Sequence, residues 1–135
     1  MPLSPTARRR WKTAGLALVF IWFMVGGICH FVLTDAFVSI MPPYIPYHTA
    51  AVYISGVFEI IGAIGILIPK WRSAAGYGLM LLTVLVTPAN VHMWLNPQLY
   101  PSIPPSLLGW RLVVQVLLLV CIWWSTRPEP MTSYR

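Results

Sequence analysis

Four long apolar runs, residues 13–33, 49–68, 73–95 and 107–125, dictate what this chain can become. Each is close to the roughly 20 residues an α-helix needs to cross a hydrocarbon core about 30 Å thick. Lipid offers no hydrogen bonds, so the backbone of each run must pair within itself, and helices are the local solution. The alternating pattern of barrel strands is absent. The expected fold is therefore all-α, a bundle of four transmembrane helices. Composition supports it: hydrophobic residues make up 58% of the 135 and charged ones only 9%, against about a quarter charged in a soluble domain.

The net charge of +6 is not spread evenly. Arg8, Arg9, Arg10 and Lys12 precede the first run, Lys70 and Arg72 lie between the second and third, and Arg127 and Arg135 follow the fourth. The two remaining links, 34–48 and 96–106, carry no Lys or Arg. The positive-inside rule then expects three parts: a basic cytoplasmic segment 1–12, a membrane domain 13–125, and a cytoplasmic tail 126–135. The proline-rich links would face outward, stiffened by Pro42, Pro43, Pro46, Pro97, Pro101, Pro104 and Pro105. This clustering reads as membrane orientation, and no nucleic-acid partner is expected. Residues 13–33 are too long for a secretory signal and read as a retained helix.

Polar groups inside the spans are the candidate site. Counted from the outer end at 1.5 Å per residue, Glu59 lies about 15 Å deep and Gln115 about 12 Å, with Asn90, Arg111, His30 and His92 at roughly 4–8 Å. All six fall in the outer half, which describes a one-sided polar funnel rather than a through-channel. An intramembrane carboxylate is costly and marks either a site or a buried pair that locks the bundle. Arg111 and Gln115 share a face of the fourth helix. Arg111 has two options, to snorkel outward or to pair with Glu59. Asn90 shares a face with Thr83 and Thr87. His92, two residues on, falls about 200° away and reaches the bundle only if Pro88 bends the helix. His30 and His48 also fit as ordinary interfacial residues. Cys29 and Cys121 differ in depth by roughly 15 Å, too far for a disulfide. No metal-ligand spacing or nucleotide motif is present.

Four stretches carry a family resemblance: Gly27-Ile28-Cys29-His30-Phe31, Ser55-Gly56-Val57-Phe58-Glu59-Ile60-Ile61-Gly62, Pro88-Ala89-Asn90-Val91-His92-Met93, and Arg111-Leu112-Val113-Val114-Gln115. In order, spacing and placement, residues 18–124 resemble the DoxX-like family of small four-helix membrane proteins. Val113 departs from the proline that many members carry. The family takes its name from a subunit associated with a thiosulfate–quinone oxidoreductase. The resemblance implies a multi-pass protein of the bacterial inner membrane that is a binding or accessory subunit of a membrane redox complex. A quinone or other hydrophobic small molecule would bind at Glu59, Asn90, Arg111, Gln115, His30 and His92. A more distant similarity is to the EXPERA group of sterol isomerases and ligand receptors. Beside the binding reading stand a membrane-embedded acid–base enzyme, isomerase-like, and a purely structural assembly factor. A homo-oligomer is compatible with each.

Overall fold

The computed structural model describes residues 1–129; Arg135, counted above among the basic groups, lies outside them. Four long helices form the body: α1 (Pro5–Val32), α3 (His48–Leu67), α4 (Arg72–Leu95) and α5 (Pro105–Thr126). A six-residue helix, α2 (Thr34–Ser39), follows α1. All four long helices are long and apolar enough to cross a membrane.

They run up, down, up, down in a closed ring, α1 against α3, α3 against α4, α4 against α5, and α5 back against α1. The α1–α5 seam is the least extensive of the four. One end of the bundle carries Arg8, Lys12, Arg72 and Arg127 and is called the basic end below. The other carries the two proline-rich links.

The helix ends depart from the apolar runs in two places. First, α1 begins eight residues earlier than its apolar run, so most of segment 1–12 is helical. Hydropathy cannot see this, because Arg and Lys are good helix formers but not apolar. Pro5 sits in the first turn, where its missing N–H costs nothing, and Ser4 caps it by accepting from the Ala7 amide at 3.2 Å. Second, the first link is not simply extended. It holds α2, then a turn around buried Pro42 whose carbonyl lies 3.1 Å from His48 Nε2. Tyr47 enters α3 with φ of 56°, the left-handed region. Pro88 lies inside α4 without ending it.

The apolar core is a layer on the basic-end side of the bundle centre. Val19 and Phe23 of α1, Ala63 and Ile66 of α3, Leu79 of α4, and Leu118 and Ile122 of α5 meet there. The most extensive seam is α1 on α3. A Cβ placed on Gly27 would lie 2.7 Å from Ile60 Cγ1 and 3.0 Å from the Gly56 carbonyl oxygen. Small residues let backbones meet in lipid, where packing drives helix association.

Candidate functional site

Toward the proline-rich end the core layer gives way to a cavity of about 440 Å³. Trp22 and Phe23 of α1, Glu59 of α3, Thr83 and Asn90 of α4, and Trp110, Arg111 and Gln115 of α5 are among its walls. Nearer the basic end α1 and α5 touch closely, with Cys121 Sγ 3.9 Å from the Gly15 carbonyl. Trp22 of α1 and Arg111 of α5 both line the cavity. Trp22, Trp110 and Arg111 are themselves exposed, so the opening lies between α1 and α5.

One wall is a directional hydrogen-bond relay. Arg111 Nη2 donates to Asn90 Oδ1 at 3.1 Å. Asn90 Nδ2 donates to Gln115 Oε1 at 2.7 Å. Gln115 Nε2 donates to the Thr83 carbonyl at 3.2 Å and also contacts Thr87 Oγ1. The polarity of this chain is forced from both ends. A guanidinium can only donate and a backbone carbonyl can only accept, so each amide between them has one permitted orientation. Gln115 is 8% exposed and spends both amide hydrogens within the protein. Arg111 uses one of its five N–H groups. The other four have no partner among the described residues.

The opposite wall holds Glu59. Its Oε1 lies 3.6 Å from His30 Nε2, close enough for an ion pair and just long for a hydrogen bond. His30 is buried, its ring centroid 4.1 Å from that of Phe37 of α2 and tilted 41° to it. Its Nδ1 lies 2.8 Å from the Val52 carbonyl and 2.9 Å from Ser55 Oγ. A carbonyl only accepts, so Nδ1 carries a hydrogen, and Nε2 is the nitrogen that exchanges a proton with Glu59. The two groups can share one proton, as acid and neutral imidazole or as carboxylate and imidazolium, and the pair is neutral while it does so. Arg111 has no carboxylate partner among the described residues.

Four of the six sequence candidates, Glu59, Asn90, Arg111 and Gln115, line this cavity. His30 supports Glu59 from outside the lining. Burial at the α1–α3 contact sets it apart from an interfacial histidine, and only the glycine pair beside it hinted at that. His92 stands elsewhere. Its Nδ1 is 3.4 Å from Asn96 Nδ2, on a face of α4 shared with Tyr44 and Pro88. Pro88 does not redirect it into the cavity. Arg111 pairs with Asn90 rather than with Glu59. Trp22, Phe23 and Trp110 also line the cavity, and nothing in their sequence spacing marked them as part of a site. Both cysteines are free.

Fold and site together define a multi-pass helical membrane protein with a polar cavity near one end of its bundle. Residues 16–126 match a family model described as a domain of unknown function (DUF8561), and the chain belongs to that family. No curated protein and no solved structure matches it.

Proposed function

We propose that this protein is a small membrane-embedded binding subunit that holds a lipophilic molecule with an oxygen-bearing head group, a quinone being the best fit, for a membrane redox complex. The observation that carries the reading is the pairing of Arg111, with four uncommitted N–H donors, and Glu59, with a free carboxyl oxygen, on two walls of one cavity otherwise lined by apolar and aromatic residues. Its volume lies in the range of small-molecule pockets. Trp22, Phe23 and Trp110 offer flat apolar surface to a ring, and the α1–α5 opening would admit a ligand sideways from lipid. The resemblance to the DoxX-like family points the same way, and the proposal includes a bacterial inner membrane as the location, with both ends of the bundle's chain in the cytoplasm.

The test is ligand retention. Wild type, Glu59→Ala and Arg111→Gln are extracted gently, and bound lipophilic molecules are identified by mass spectrometry. Loss of one defined molecule in both variants is expected. Equal retention by all three would refute the cavity as its site.

The His30–Glu59 contact favours a second reading, an acid–base enzyme in which the shared proton is delivered to a substrate in the cavity. A glutamine at 59 keeps the shape but carries no exchangeable acid. Full turnover by Glu59→Gln of any substrate found would exclude this role.

A further inference from the structure

The basic end of the bundle holds a second cavity, about 1010 Å³, independent of the first. Arg8, Arg9 and Lys12 of α1, Arg72 of α4, and Arg127 after α5 bring five cations to it. Three of these have structural work, and one is Lys12, whose Nζ donates to the Arg127 carbonyl at 2.7 Å. Arg72 Nε donates to the Ile66 carbonyl at 2.7 Å, closing the end of α3. Arg127 donates to the Ser73 carbonyl at 3.2 Å and stacks on Tyr77 and Trp123. Arg8 and Lys12 are held by a single carboxylate, Glu129, at 3.8 and 3.2 Å. Glu129 is the one acidic residue in the lining.

The walls change character along one helix face. Arg8, Lys12 and Leu16 follow one another at four-residue spacing on α1, as do Arg9, Thr13 and Ala17. Lys12 to Leu16 is about 6 Å of rise. Beyond the cations the lining becomes Leu16, Ala17 and, across the α1–α3 seam, Leu67. Ala17 and Leu67 are exposed on the lipid-facing surface. A site that is cationic at the helix ends and apolar one turn deeper matches an amphiphile standing along the membrane normal.

We infer that this cleft is a binding site for an anionic phospholipid, its phosphodiester head group held by Arg8, Arg9 and Lys12 and an acyl chain laid along Leu16, Ala17 and Leu67. Glu129 is then an internal competitor that occupies Arg8 and Lys12 when no lipid does. Juxtamembrane cations attract anionic head groups, and the carboxylate of the chain's own tail must leave before a phosphate can take its place. Lipid occupancy would displace Glu129 from Arg8 and Lys12.

The experiment is native mass spectrometry of the full-length protein, titrated with phosphatidylglycerol or with phosphatidylcholine of the same acyl chains. Preference for phosphatidylglycerol is expected. The double variant Arg8→Gln, Lys12→Gln should weaken its binding by about fivefold per cation removed. Glu129→Gln, at an exposed position away from the core, should tighten it by about fivefold. Lys70→Gln removes the same charge outside the cleft and should change nothing. Equal binding of the two lipids would overturn the inference. So would a loss in Lys70→Gln matching that of one cleft cation, or tighter binding absent in Glu129→Gln. Full displacement of the lipid by millimolar inorganic phosphate would mark a simple anion site and overturn it as well.

Discussion

The relay Arg111–Asn90–Gln115 is the part of the candidate site whose energetics follow most directly from geometry. The decisive perturbation is a cycle of Asn90→Ala, Gln115→Leu and the double variant. Each single change carries packing and transfer terms that have nothing to do with the bond between the two residues. These cancel in the cycle and leave the coupling alone. The bond is short, 2.7 Å, and Gln115 is 8% exposed, so water cannot substitute for a lost partner. Hydrogen bonds between transmembrane helices average about 0.6 kcal/mol and reach about 1.7. Saturation of Gln115 places this one in the upper half of that range, near 1 kcal/mol. The double variant should therefore be less destabilised than the sum of the singles by about that amount. The assay is reversible unfolding in mixed micelles, followed by far-ultraviolet circular dichroism. Additivity within about 0.3 kcal/mol, the scatter of independent sites, would refute the relay as an energetic unit.

Three further outcomes test the packing. Gly56→Ala should cost about 1–3 kcal/mol, because a Cβ there would lie 2.8 Å from His30 Cβ and 3.1 Å from the Gly27 carbonyl oxygen. The same unfolding assay on Gly78→Ala should show a gain of about 0.5–1 kcal/mol, since that Cβ meets nothing within 4 Å and alanine is the better helix residue. Arg127→Lys should lose about 1 kcal/mol at the basic end, as an ammonium cannot stack flat at 3.9 Å on Tyr77 and 4.6 Å on Trp123. Orientation is a separate matter. With the native cysteines replaced by serine, a cysteine at Ser102 should react with an impermeant reagent only from the side opposite one at Ser4.

The four spans were legible because length and hydropathy are counting properties, and a stretch of 20 apolar residues has few other uses. The meeting of Glu59, Asn90, Arg111 and Gln115 was legible from depth and helical face together. What depth cannot supply is the partner. Glu59 and Arg111 are the obvious opposite charges, yet Glu59 contacts His30 and Arg111 contacts Asn90. The choice is made by the Gly27–Gly56 contact, which draws α1 against α3 and brings His30 over Glu59. Arg111 and Asn90 already face one another across the α4–α5 seam. The α1 extension was hidden for a different reason, since its first turns are held by a serine cap and by charged residues that hydropathy discounts.

The apolar layer below the cavity has an electrical consequence. Val19, Ala63, Ile66, Leu79, Leu118 and Ile122 are each no more than 9% exposed, so nothing at that level conducts. Glu59 lies 11 residues into α3 from His48, about 16 Å of rise in a core about 30 Å thick. A proton reaching it from the proline-rich end would thus cross roughly half of the membrane's voltage drop and stop. A full elementary charge carried across 100 mV is worth about 2.3 kcal/mol, so half the drop is worth about 1 kcal/mol. The occupancy of the His30–Glu59 proton would then follow the membrane potential, and a cavity with no exit on its far side would read the state of an energised membrane without discharging it.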